Sequence, residues 1–138
     1  MKNLKLIISL LWTSLALLLL FFSPLKFPEP YYFMTTILLL AGLGISLLIF
    51  TLKSELRKKH KIFMLLASSS LIGIPVFAIL HNAVYALAIH IFGEGVWGND
   101  DEPFFFVLAV IVCPLAYLVG FIGSITCFLR IKGGSENG

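Results

Sequence analysis

Charged side chains fall at only a few places along this chain, and long apolar stretches run between them. Four stretches free of Asp, Glu, Lys and Arg stand out, at about residues 6–22, 33–52, 62–92 and 104–129. A run of about 18 or more apolar residues predicts a bilayer span, because 20 residues at 1.5 Å rise cover the roughly 30 Å hydrocarbon core. In lipid each run must satisfy its own backbone hydrogen bonds, which predicts helices. The alternating ten-residue segments of a membrane barrel are absent.

The third run is too long for one crossing. Its 31 residues make about 46 Å of helix. Pro75 lies inside it and is expected to kink it, a defect that membrane helices tolerate. The acidic segment begins directly after Gly93, so the span is placed at 70–92, with His81 and Asn82 near the midplane. If the inner end set the depth instead, residues 62–82 would span and the pair would lie at the outer interface. The pattern as a whole predicts an all-α membrane protein. It is a single integral membrane domain over 1–138, a four-transmembrane-helix bundle with spans at about 6–22, 33–52, 70–92 and 104–129.

Composition agrees. Of 138 residues, 59% are hydrophobic and 12% charged, where soluble domains carry about 25% charged residues. The net charge of +3 does not indicate nucleic acid, because its placement follows the spans. Lys2 and Lys5 precede the first run. Lys53, Arg57, Lys58, Lys59 and Lys61 lie between the second and third, and Arg130 and Lys132 follow the fourth. Only Lys26 lies on the other side, together with Glu29, Glu94, Asp100, Asp101 and Glu102. The positive-inside rule then predicts a cytoplasmic N-terminus, C-terminus and middle loop in a prokaryotic plasma (inner) membrane, crossed several times. The first run begins with the basic "MKNLK". Its hydrophobic stretch of about 17 residues lacks a small-x-small cleavage pattern, so it is expected to be retained as a span.

The outer loop "SPLKFPEP" has too many prolines for a helix, and Tyr31 and Tyr32 are expected at the outer interface. Trp12 lies too deep for that belt and is expected to pack on a neighbouring helix. The basic loop "KSELRKKHK" is short, which makes the second and third spans antiparallel neighbours. It can attract anionic headgroups, but the same charges are already required as a topology signal.

Within the spans, chemistry is sparse. His81 and Asn82 are the polar pair. On a helical wheel His81 shares a face with Ala67, Ser70, Ile74, Phe77, Ala78 and Tyr85, while Ile72, Val76, Leu80, Val84, Leu87 and Ile91 cover the reverse. The pair is therefore expected to face protein, because a polar group in hydrocarbon needs a partner. His81, Asn82 and Tyr85 form the candidate intramembrane polar site. It is either a place that relays a proton or binds an ion, or a set of hydrogen bonds that holds helices together. No catalytic residue is identified. No Asp, Glu, Lys or Arg lies firmly inside a span, which argues against a pump built on an embedded carboxylate. No nucleophilic serine has its own base. His81 and His90 lie about 180° apart around a helix and cannot share one haem, and no cofactor is expected.

Cys113 and Cys127 are about 21 Å apart along one helix and cannot pair. His90 and Glu94, one turn apart and close to Asp100, Asp101 and Glu102, are the weak metal candidate; their spacing fits no tight ligand motif. The glycines of "GEGVWG" match a dinucleotide pattern only by letter, because no strand precedes them and acids follow. Asn99 or Asp100 can cap the fourth span, and Pro103 suits its first turn.

Small residues mark packing faces. Ser9, Thr13 and Ala16 recur at helical spacing in the first span, and Thr35, Gly42 and Ser46 in the second. Ala109, Cys113, Ala116, Gly120, Gly123, Ser124 and Cys127 form a helix-packing stripe on the fourth, expected to serve contacts either within the chain or between chains. Finally, "IPVFAILHNAVYAL" and "DEPFFFVLAVIVCPLAYLVGFIGSI" resemble an uncharacterised family of small prokaryotic four-span membrane proteins over about residues 73–125. That resemblance implies a four-helix membrane protein and no activity. Two main functions are left in view, with a membrane enzyme or redox subunit as a third. One is an accessory or structural membrane component that docks helices of a membrane-protein partner. The other is a small homo-oligomeric transporter or channel with a polar path at His81, Asn82 and Tyr85.

Overall fold

The computed structural model describes residues 2–23, 30–96 and 103–134. These residues form α1 (Lys2–Phe21), α2 (Pro30–Lys53), α3 (Lys58–Phe92), α4 (Pro103–Val107), a π-helical turn (Leu108–Val112) and α5 (Cys113–Gly134). There is no strand among the described residues. The last three elements run on without a break, so the chain makes four helical rods. Three stretches are long and apolar enough to cross a membrane: Met34–Lys53, Lys58–Phe92 and Pro103–Arg130. The apolar part of α1, Lys5–Phe21, is shorter. Pro24, Lys26, Pro28, Glu29 and the capping residues Asn99 and Asp100 lie outside the described residues, and so do the side chains of Tyr31 and Tyr32; Pro30, the last residue of the predicted loop, is the first of α2.

The rods form a bundle in which each packs on the next in sequence. α3 is the central member, held closely by α2 on one side and by α5 on the other. Two glycines set those approaches. A Cβ on Gly44 would stand 2.9 Å from Ile72 Cγ1 and 3.0 Å from Leu71 Cβ. One on Gly120 would stand 2.6 Å from the Ala67 backbone nitrogen and 2.8 Å from the Phe63 carbonyl oxygen. Without a hydrophobic drive between helices in lipid, such close backbone approach supplies the dispersion contact. The core between the rods is Leu11, Leu40, Leu47, Met64, Ala67, Leu71, Ile74 and Tyr117, with neighbours at its edge.

The basic loop is shorter than its sequence suggests. Only residues 54–57 are non-helical, and Lys58–Lys61 already belong to α3. The Ser54 hydroxyl donates to the Thr51 carbonyl at 2.9 Å, which closes the end of α2. The helical assignment of α3 runs unbroken through buried Pro75. It ends at Gly93, whose φ of 88° leaves the helical region while its N–H still donates to the Ile89 carbonyl at 2.9 Å. Only glycine takes that backbone angle without strain.

Pro114 has a structural answer in the turn before it. Proline lacks an N–H and crowds the carbonyl four residues back. Here the preceding turn is widened, and the Cys113 N–H donates to the Leu108 carbonyl, five residues back. The extra residue also corrects phase. Phe105, Ala109, Cys113 and Tyr117 are spaced by four, which would drift around a plain helix of 3.6 residues per turn. With the π turn between them, Ala109, Cys113 and Tyr117 are all buried.

Candidate functional site

The antiparallel rods place His81 level with the outer ends of its neighbours. Its ring centroid lies 5.7 Å from that of Phe106, in α4. The two share a cavity of about 270 Å³ with Phe21, Ile74, Ala78, Asn82, Ala109 and Val110. Phe21 is the last residue of α1. The buried positions of α3 all lie between His60 and Pro75, and from Val76 onward the helix is half-buried or exposed. His81 and Asn82 thus sit at the rim of the bundle rather than at its middle. This position follows the end of α1 and the start of α4 and concerns the bundle, whereas the midplane expectation concerns depth in a bilayer. Residues 83–92 extend past that rim.

The polar groups of the pair behave differently. Asn82 is exposed, and its side-chain amide donates to the Ala78 carbonyl of its own helix at 2.8 Å. His81 is half-buried and faces the cavity. Tyr85 is half-buried one turn further out and does not line the cavity. Ala67, Ser70 and Ile74 on the His81 face are buried, while Val76, Leu80, Leu87 and Ile91 are exposed. Beneath the cavity the interior closes on Leu18, Leu71, Cys113 and Tyr117, each 7% exposed or less.

Deeper still lies a polar contact that the sequence reading did not single out. The Tyr117 hydroxyl donates to the Leu11 carbonyl at 2.9 Å and stands 2.7 Å from the Ser14 Oγ, which also reaches the Leu11 carbonyl at 2.8 Å. Tyr117 and Ser14 have no exposed surface. This bridge ties α1 to α5, helped by Trp12, whose ring meets Phe121 edge to face at 5.1 Å. A signal was present: Tyr117 stands between Cys113 and Gly120 on the small-residue side of its helix. Three other buried hydroxyls close on their own helices, Thr51 on Leu47, Ser68 on Leu65 and Ser70 on Leu66, while Ser124 Oγ has no hydrogen-bond partner.

The stripe on the fourth rod lies against α3. Ala109, Cys113, Gly120 and Ser124 are buried, and Ala116, Gly123 and Cys127 are half-buried. Gly120 meets the Phe63–Ala67 backbone, Gly123 meets the Phe63 ring, and Cys113 Sγ lies against Gly73. The small residues of α1 and α2 are placed differently. Ser9, Thr13, Ala16, Thr35 and Gly42 are exposed, and a Cβ on Gly42 would meet nothing within 4 Å. Beside them, Thr13, Ala16, Leu17, Leu20, Leu39 and Leu43 line an outward-facing groove of about 460 Å³ between α1 and α2.

His90 and Glu94 are both exposed. Among the described residues no three His, Cys, Asp or Glu side chains gather as a metal site, and Asp100, Asp101 and Glu102 lie outside those residues. Cys113 and Cys127 are free thiols.

No family model matches the chain, no curated protein matches it, and no solved structure matches it. Its function is therefore argued from its own residues.

Proposed function

We propose that this chain is a four-span integral membrane protein that acts as an accessory component, docking a transmembrane helix of a larger partner on its α1–α2 face. In this reading α1 is the fourth crossing, with its 17 apolar residues at the short end of what spans a bilayer. The basic residues gathered at one end of the bundle support a reading with both termini and residues 54–57 on the cytoplasmic side, by the positive-inside rule.

The observation that carries the reading is the open groove between α1 and α2. In lipid, helices associate through small residues and close van der Waals contact. On the fourth rod such residues face α3 in the same chain. On α1 and α2, Ser9, Thr13, Ala16, Thr35 and Gly42 are exposed, beside a groove lined almost wholly by apolar side chains, while Ser14 and Gly44 pack inside the bundle. A photo-crosslinking residue in place of Leu39, in native membranes, tests this. A discrete adduct with a larger membrane protein is expected, and none from the same residue in place of Ile79, which is 65% exposed on α3. An adduct of twice the chain's mass would assign the groove to a homo-oligomer. Absence of any adduct at Leu39 would sink the docking reading.

One observation favours a second reading. The cavity at His81 and Asn82 is large enough for a small solute, as a homo-oligomeric transporter or channel would require. Against it, Leu18, Leu71, Cys113 and Tyr117 are buried in the interior of the bundle.

A further inference from the structure

Two buried polar side-chain atoms among the described residues have no hydrogen-bond partner, Ser124 Oγ on α5 and, at the basic end of the bundle, a ring nitrogen of His60. His60 is 2% exposed, and its Nδ1 has no hydrogen bond. A buried nitrogen left unpaired costs free energy, so a native partner is the expected state. His60 lines a cavity of about 170 Å³ together with Arg57, Lys59, Cys127 and Arg130. Arg57 precedes α3, Lys59 and His60 belong to its first turn, and Cys127 and Arg130 come from α5, so two helix ends build the pocket. The lining thus brings three permanent cations, all on exposed residues, to the pocket that the buried His60 also lines. Among the described residues no carboxylate pairs with Arg57, Lys59 or Arg130, and Glu55 in the same loop is exposed. A metal cation is disfavoured by three like charges.

We propose that this pocket binds a phosphate group, with Arg57 and Arg130 holding its oxygens, Lys59 adding charge and His60 donating from its ring. Guanidinium forks match phosphate geometry. The pocket lies where the rods leave the apolar zone, the depth of lipid phosphates, so an anionic phospholipid and a free phosphate compound share the chemistry. This goes beyond helix docking, because the groove between α1 and α2 and this pocket use different residues.

The test uses the full chain in a neutral detergent. Phosphatidylglycerol, phosphatidylcholine and inorganic phosphate are titrated separately, and thermal unfolding and the NMR shift of the His60 ring are followed. Saturable binding of phosphatidylglycerol with a shift of the His60 resonance is expected. Arg57→Gln/Arg130→Gln should weaken it roughly 30-fold, at about 1 kcal/mol per basic residue near a headgroup. Lys53→Gln/Lys58→Gln removes the same charge outside the pocket and should change binding less than about 3-fold. Binding of phosphatidylglycerol alone assigns a lipid site, and binding of inorganic phosphate as well assigns a site for free phosphate compounds. Equal weakening by both double variants, or an unmoved His60 resonance, overturns the proposal.

Discussion

The hydroxyl of Tyr117 and that of Ser14 stand 2.7 Å apart with the Leu11 carbonyl in reach of both, and this joins α1 to α5 inside the apolar core. The two hydroxyls carry two protons, one for the contact between them and one for the Leu11 carbonyl, whose other lone pair serves the helix, so the group is satisfied without water. Tyr117→Phe removes the bond between helices and leaves Ser14 bonded to Leu11. It should destabilise the bundle by about 1 kcal/mol. Ser14→Ala should cost less, because Tyr117 keeps the Leu11 carbonyl. Reversible unfolding in mixed micelles checks the order; an equal or larger loss for Ser14→Ala would contradict it.

Two glycine-to-alanine changes should separate cleanly. Gly120→Ala pushes a methyl group into the Ala67–Phe63 backbone, which cannot rotate away, and should cost about 3 kcal/mol. Gly42→Ala meets open space and should be neutral or stabilising by up to about 1 kcal/mol, the ordinary helix gain. The same micelle assay reads both.

A cysteine at position 81 should react from the outer side. In a background with Cys113→Ala and Cys127→Ala, His81→Cys places a thiol on the cavity at the rim. A membrane-impermeant maleimide on intact cells should label it. Leu80→Cys, at equal depth on the other face of α3, is the control. Faster reaction at 81 than at 80 would show that water enters through the cavity. No reaction at either position would place the rim below the interface.

The π turn makes a prediction about chain length. It holds one residue more than an α-helical turn needs. Deleting Ile111, which is half exposed there, should let the rod revert to α-helix with both flanks still in phase. The variant should fold, with a melting point lowered by a few degrees. Deleting Val119 from α5, at similar exposure, rotates Gly120, Phe121 and Ser124 out of the core by about 100°. That variant should fail to fold, as expression and gel filtration would show.

The rods were legible because charges bound them, and a charge inside hydrocarbon is expensive. What the pattern could not reveal is register. Charges mark where a helix leaves the apolar zone only if a neighbour stops at the same level, and α3 runs past the end of α1. The sequence therefore leaves two depths for His81, near the midplane with a span at 70–92 or at the interface with a span at 62–82. His60 stayed hidden for a related reason: between Lys59 and Lys61 it resembles one more solvated base, and only the packing of α5 buries it. Tyr117 and Ser14 are single hydroxyls in apolar runs, and no spacing within one helix shows a partner 103 residues away. The stripe on the fourth rod was visible as a face, but its occupant had to come from the coordinates.

The unequal rods have a mechanical consequence for the surrounding lipid. The apolar part of α1 is about 25 Å long, while α3 is about 52 Å long. If α1 crosses the bilayer as proposed, lipid beside it must thin, and lipid beside the far end of α3 must thicken or let the helix lean. In that reading the protein sits in a bilayer whose thickness is graded around its circumference. The thinned side is the side of the α1–α2 groove, so a second helix settling there would also relieve an elastic deformation of the membrane.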